Sequence, residues 1–402
     1  MPIVPGGASV PRISVVIPCY NAERYIGGAI DSVLGQTCQD LEIVVVDDGS
    51  TDGTRELVAG VRDGRLRYLY QENRGPAAAR NRGIAAAQGE YIAPLDADDL
   101  ALPQRLEQQL AVLEAEPDLT VVGSGYVWID DEGHRLSWAT HSWQKYPELN
   151  EFRNWLFDCP FVPSATMFRR AAWADVGGFD EELIGPEDWN FWMRLALHGH
   201  LMAWHREVVC LYRHRADSLS QDAEQMSANC AKAVQRIMEH PKFPPELFDA
   251  AQQGLAVRYV DGSKRLYTAG LWPQGQKALE KALDLDPTLL RYQPSRIEDE
   301  LVAAALDPLV ADPIQFLTSL YGYLPPNAQG LLARQRHVLT RGHVELLVRG
   351  LRHGKPGLVR RHLGQVLVRL PGWLLDAGTW AIIVRALRSR AQAVAERWRG
   401  RR

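Results

Sequence analysis

Leu41-Glu42-Ile43-Val44-Val45-Val46-Asp47-Asp48-Gly49-Ser50-Thr51-Asp52 is an apolar run that stops abruptly in an acidic turn. A short run rich in β-branched residues is the mark of a strand buried on both faces, as the strands of parallel sheets are. Upstream, Ile13 to Ile17 is a second such run. Between the two, Tyr25, Ile26, Ala29, Ile30, Val33 and Leu34 recur at helical spacing. Downstream, Leu57, Val58 and Val61 continue at helical spacing before a short strand around Leu66 to Tyr70. Pro76 to Ala87 predicts an alanine-rich helix, Tyr91 to Leu95 a strand, Glu107 to Glu116 a helix and Thr120 to Val127 a strand. This alternation predicts an α/β fold with a mostly parallel sheet flanked by helices. A helix carrying Trp189, Phe191, Trp192 and Leu195 follows, then a strand pair over Leu201 to Tyr212. After about Ser220 only helical periodicity is left, so an all-α C-terminal region is expected.

The chain has 402 residues, enough for about two or three domains. We expect them at 1–222, 223–329 and 330–402. The net charge of -4 conceals an asymmetry: Gly330 to Arg402 holds 16 Lys and Arg against 3 Asp and Glu. An acidic front and a basic tail point to modules with different partners. Five cysteines without CxxC spacing argue against a disulfide framework and against a cysteine zinc site. No charged-then-apolar leader opens the sequence, and no stretch reaches the length of a bilayer span. Leu370 to Leu387, the most apolar late segment, is interrupted by Pro371, Asp376 and Arg385. These features predict a cytoplasmic protein.

Ligands of parallel sheets bind beyond the carboxyl ends of the strands. Three strand ends carry conspicuous chemistry: Pro18-Cys19-Tyr20-Asn21, Asp47-Asp48-Gly49-Ser50 and Asp96-Ala97-Asp98-Asp99. The carboxylates of Asp96 and Asp98 can share one hard divalent cation with open positions for diphosphate oxygens. They can equally form a solvated loop or a cap for the helix after Pro103. Asp48 can accept the imide N–H of uracil, or bond local backbone in an Asx turn. Arg80 and Arg82 offer guanidinium forks to a diphosphate, or are surface arginines. Glu187 and Asp188 open the helix of Trp189 and Trp192. A carboxylate there is favoured by the helix dipole, and Asp188 can also serve as general base for an acceptor hydroxyl. The tryptophans would then shape a sugar-binding surface.

Together these motifs resemble the family-2 inverting glycosyltransferases of the GT-A fold, over roughly Pro11 to Asp222. The resemblance rests on Val16-Ile17-Pro18-Cys19-Tyr20-Asn21, Val45 to Asp52, Ala79-Arg80-Asn81-Arg82-Gly83, Leu95 to Asp99 and Gly185-Pro186-Glu187-Asp188. It implies that Pro18, Tyr20 and Glu23 line the nucleotide pocket, that Asp48 contacts the base, and that Arg80 lies near the donor. Asp96 would hold ribose or metal, Asp98 would be the protein ligand to Mg²⁺ or Mn²⁺, and Asp188 the base. The implied activity is transfer from a nucleotide-sugar, with UDP favoured, to a glycan or lipid-linked acceptor. One departure stands out: members often carry Tyr-Arg-x-His after the base helix, whereas Tyr212-Arg213-His214-Arg215 places the histidine one residue early.

Tyr259 to Pro287 resembles one tetratricopeptide unit, with Gly275 in place of the usual alanine; a lone unit must pack on neighbouring helices. Arginines mixed with Trp373, Trp380 and Trp398 suit an anionic membrane surface, which implies peripheral contact at the inner face of the membrane. No nucleic-acid motif accompanies the charge. The rival reading is a non-catalytic sugar-nucleotide-binding scaffold on a transferase fold. The missing GxGxxG after the first strand excludes a dinucleotide oxidoreductase.

Overall fold

The structure, a computed structural model, describes residues 10–136, 142–215, 222–291, 295–307 and 310–369. Trp373, Trp380, Trp398 and the Leu370–Leu387 segment lie outside the described residues. The chain divides into two compact units, Met1–Leu255 and Ala256–Arg402.

The first unit is built on an eight-stranded sheet of order β3-β2-β1-β4-β7-β6-β8-β5. Its strands are β1 (Ile13–Cys19), β2 (Leu41–Asp48), β3 (Leu66–Gln71), β4 (Tyr91–Pro94), β5 (Leu100–Ala101), β6 (Leu119–Ile129), β7 (Thr166–Arg169) and β8 (Leu201–Arg213). Every residue of β1 and β2 is buried, as continuous apolar runs require. β1 pairs in parallel with β2 and β4, and β2 with β3. Helix Ile26–Leu34 buries Ile26, Ala29, Ile30 and Val33, the spacing read from the sequence.

The direction changes at β7, antiparallel to both β4 and β6. Only two residue pairs join β4 to β7, Tyr91 with Arg169 and Ile92 with Phe168. Arginines supplement this narrow seam. Arg105 Nη2 donates to the carbonyls of Pro94 and Thr166 at 2.7 and 3.0 Å, and Arg169 Nη1 donates to Glu90 Oε1 and the Tyr91 hydroxyl at 2.9 and 3.0 Å. Burial pulls the Arg105 guanidinium down to about 10.

The expected strand pair over Leu201 to Tyr212 is instead the single strand β8, parallel to β6. Register irregularities around Ser124, Gly125 and Tyr126 absorb the polar stretch His205 to Glu207 without breaking the ladder. The first unit also extends past the boundary expected at 222. Helix Ala223–Met238 packs on helix Glu187–Leu197, and Asn229 Nδ2 donates to the Ile184 carbonyl at 2.7 Å.

The second unit is helical, with a core that includes Leu279, Leu283, Ile297, Leu301, Leu317 and Leu320. Gly270, at φ 78, turns the chain between helices Phe248–Thr268 and Trp272–Leu285. A Cβ on Gly275 would stand 2.7 Å from the Tyr267 ring, so the close approach of the two helices favours glycine there. The pair packs on Arg296–Ala305 and Pro313–Leu320 rather than standing alone. The five cysteines, all among the described residues, form no disulfide.

Candidate active site

Because β2, β1 and β4 run side by side, their carboxyl ends open into one cavity of about 790 Å³. Pro18, Tyr20, Asp48, Arg80, Asp96, Asp98 and Asp188 all line it. Glu23 does not. It borders a smaller hollow, where its carboxylate accepts the Gly53 N–H at 3.0 Å. The Asp52-Gly53 turn draws this side chain away from the nucleotide pocket that the resemblance implied.

Asn21 closes β1 at φ 47, a left-handed conformation that asparagine tolerates better than most residues. Its backbone N–H donates to Ser50 Oγ, and its Oδ1 accepts the Thr51 N–H at 2.8 Å, so the first two strand ends are laced together. Asp47 takes the local-turn role, accepting the Ser50 N–H at 2.8 Å. Asp48 points across the cavity wall instead. It accepts from Gln71 Nε2, the Arg74 N–H and the Gly75 N–H at 2.7, 2.9 and 2.8 Å, and so fixes the loop before helix Pro76–Ala86.

Arg80 is not a free fork. It is 6 % exposed, and its two terminal nitrogens divide between Asp96 Oδ1 at 2.6 Å and Glu187 Oε1 at 2.5 Å. Two carboxylates outweigh its burial, so its pKa is raised and it stays charged. Glu187 also accepts the Gly185 N–H at 2.8 Å. Arg80 thus ties the metal-candidate loop to the start of the base helix. Arg82 is exposed, the surface arginine of the pair.

Asp188 Oδ1 accepts the N–H of Trp189 at 2.6 Å. Burial and the neighbouring Glu187 push its carboxyl from 3.8 up to about 7, against the pull of Arg80. A carboxylate with that pKa is suited to accept a proton near neutrality. Trp189 and Trp192 do not form the expected sugar-binding surface. They are 3 % and 0 % exposed and belong to the core behind the helix.

Asp98 Oδ2 is paired with Arg215 Nη1 at 3.2 Å. Burial and Asp96 raise its pKa, and Arg215 opposes them. His214 does not line the cavity: its N–H bonds the Ile129 carbonyl and its ring packs 5.8 Å from Trp128. Arg213 and Arg215, on either side of it, do line the cavity, as alternation along an extended chain demands.

Two further residues, each inside a motif quoted above but given no role there, hold the arrangement together. Arg213 donates from Nε to the Asp98 carbonyl and from Nη1 to those of Asp130 and Asp131, at 2.8, 2.6 and 2.9 Å. Asn81 bonds both the N–H and the carbonyl of Phe179 and the Trp173 indole, holding the Gly177-Gly178 loop.

The model of the family "Glycosyl transferase family 2" matches residues 14–177. A glycosyltransferase of Rickettsia typhi, itself uncharacterised, is 30 % identical over 226 residues, 54 % of this chain and 68 % of the relative. The chain belongs to glycosyltransferase family 2. Three other Rickettsia glycosyltransferases, of R. felis, R. conorii and R. bellii, are longer, and this family-2 chain spans 26 to 39 % of their lengths. The fold agrees with Staphylococcus aureus TarS 1-349 in complex with UDP-GlcNAc, with a TM-score of 0.55 and 20 % identity over 76 % of this chain and 89 % of that one. It also agrees with a mannosyltransferase of Pyrobaculum calidifontis in complex with GDP-Man and Mn²⁺, at 0.50 and 23 % over 76 and 89 %.

The donor set of this family-2 site fits a hard divalent cation. Arg80 and Arg215 each engage one oxygen of Asp96 and Asp98, which leaves the second oxygen of each carboxylate outside those ion pairs. Two carboxylates suit an ion that completes its shell with diphosphate and water. Among the described residues, the one grouping of three potential ligand atoms is Asp130, Glu132 and His134, on the turn after β6.

Proposed function

We propose that this chain transfers a sugar, with inversion, from a nucleotide-sugar to a hydroxyl of a glycan or lipid-linked acceptor. UDP is the favoured nucleotide and Mg²⁺ or Mn²⁺ the metal. The observation that carries this reading is the convergence of Asp96, Asp98 and Asp188 on one cavity. Pro18, Tyr20 and Asp48 form the nucleotide side. Asp48 accepts three protein donors, and a base contact would add to them. Asp98, with Asp96, would hold the metal, which supplies positive charge for the diphosphate leaving group. Asp188 removes the proton of the acceptor hydroxyl, which attacks the anomeric carbon as the nucleoside diphosphate departs. The UDP-GlcNAc and Mn²⁺ of the similar structures support donor and metal by analogy.

The test is a panel of nucleotide-sugars with Mn²⁺, scored for donor hydrolysis and transfer. Turnover of one sugar nucleotide, abolished by chelation and restored by metal, is expected. Turnover unchanged by chelator removes the metal from the reading, and no turnover with any donor removes the activity.

We place the acceptor at an anionic membrane surface. Among the described residues no helix is long and apolar enough to cross a membrane. Arg352, Lys355, Arg360 and Arg361 are exposed where helix Gln335–Arg352 gives way to Pro356–Arg369. Each basic residue near such a surface is worth about 1 kcal/mol. Replacing these four by Gln is expected to cut flotation with phosphatidylserine vesicles by at least tenfold. Equal flotation of both proteins would exclude this contact.

A further inference from the structure

The sequence departure at Tyr212-Arg213-His214-Arg215 puts a cation, not a ligand, beside Asp98. Arg215 lies at the junction of the donor cavity and the smaller hollow, lining both. Its side chain is 19 % exposed and that of Asp98 25 %, so the pair at 3.2 Å is substantially shielded from solvent. The guanidinium also rests over the Tyr25 ring, 4.7 Å from its centroid, beside Arg213 at 5.0 Å. The Tyr25 hydroxyl donates to Asp131 Oδ1 at 3.1 Å, which fixes this platform. Among the described residues Arg215 therefore has an ionic and an aromatic support, and loss of the first leaves the second.

A divalent cation on the Asp98 oxygen outside the ion pair would stand close to the Arg215 guanidinium on the other oxygen, and the two positive charges repel. We propose that Arg215 is a built-in counter-charge for Asp98 that the metal displaces, and that the displaced guanidinium then binds the donor diphosphate. The charge balance supports this order. Without donor, Arg215 offsets the negative charge of Asp98, a largely shielded carboxylate that shares its cavity with Asp96. With donor, the metal takes over that task and the diphosphate brings new negative charge into the same cavity. An arginine fork suits phosphate oxygens. The site thus keeps its charge nearly balanced in both states, and metal enters most readily together with nucleotide. This inference rests on the metal reading of Asp98 given above.

The test is made on the full chain without acceptor. Mn²⁺ binding, with MnCl₂ alone, is measured by the loss of the free-ion electron paramagnetic resonance signal. UDP binding is measured by calorimetry in excess chelator. Arg215→Gln is expected to bind Mn²⁺ about tenfold more tightly than the native chain, as loss of one charged hydrogen bond to the ligand implies. The same variant is expected to bind UDP about tenfold more weakly, for the same reason. Arg215→Lys keeps the charge and should lie nearer the native chain in both. Equal Mn²⁺ affinity in native and Arg215→Gln proteins, with binding still lost in Asp98→Asn, overturns this proposal alone. UDP affinity indifferent to Arg215→Gln overturns it too. Mn²⁺ binding unaffected by Asp98→Asn overturns both the proposal and the metal reading beneath it.

Discussion

Asp188→Asn is expected to cut transfer by about 10²- to 10⁴-fold, the usual contribution of a positioned carboxylate base, while donor binding persists. The amide keeps the size of the side chain and can still accept the Trp189 N–H, so the helix start is preserved. In the native enzyme kcat/KM should fall with decreasing pH as Asp188 takes up a proton near pH 7. A cation at Asp96 and Asp98 would move this limb lower by stabilising the carboxylate. Stability gives an independent check. The folded state raises this carboxyl from 3.8 to about 7, so between those values it binds more protons than the unfolded chain. Stability must therefore decline as pH rises through that window. At pH 8 the Asn variant should have the higher Tm and almost no activity, the signature of a residue kept for chemistry. A variant that loses activity and Tm together would mark Asp188 as structural.

Arg80→Met should fail differently. Removing the guanidinium leaves Glu187, 3 % exposed, and Asp96 without their shared cation. Breaking a buried ion pair costs about 3–5 kcal/mol, or on the order of 10 °C in Tm for a unit of this size. Activity should fall by at least about 10²-fold, because the base helix and the Asp96 loop lose the link that sets their separation. Arg80→Lys should not restore it, since one ammonium cannot span both carboxylates in fork geometry. Adding Glu187→Gln to Arg80→Met should recover part of the Tm and none of the activity. Thermal melts and initial rates on the four proteins decide the matter. Native-like Tm in Arg80→Met would refute the link.

The parallel half of the sheet was legible in the sequence because each strand is a continuous apolar run ending in polar residues, and both signals are local. Asp48, Asp96 and Asp98 follow such runs and could be placed at the cavity for the same reason, whereas Asp188 opens a helix and was reached through the resemblance. The partners of Arg80 were not legible. Asp96 is 16 residues away and Glu187 is 107, and only the completed sheet brings them to one guanidinium. The partners of Arg213 and Asn81 were not legible either, because they include backbone groups, which leave no mark on the identity of the partner. Glu23 and the Trp189–Trp192 pair misled in the opposite direction. Both were assigned by kinship or by residue type, and a turn and a core claimed them. The length of β8 was obscured because register irregularities let a polar stretch remain within a strand.

The narrow seam between β4 and β7 has a consequence for how the enzyme should respond to ionic strength. Asp96 follows β4 on one side of the seam, and Asp188 belongs to the chain beyond it. A backbone ladder of only two residue pairs spans the gap. Arg105 and Arg80, 1 % and 6 % exposed, join the two sides, Arg105 through the carbonyls of Pro94 and Thr166 and Arg80 through Asp96 and Glu187. Salt screens exposed charges and hardly touches buried ones. The spacing of the Asp96–Asp98 loop and Asp188 should therefore hold in concentrated electrolyte.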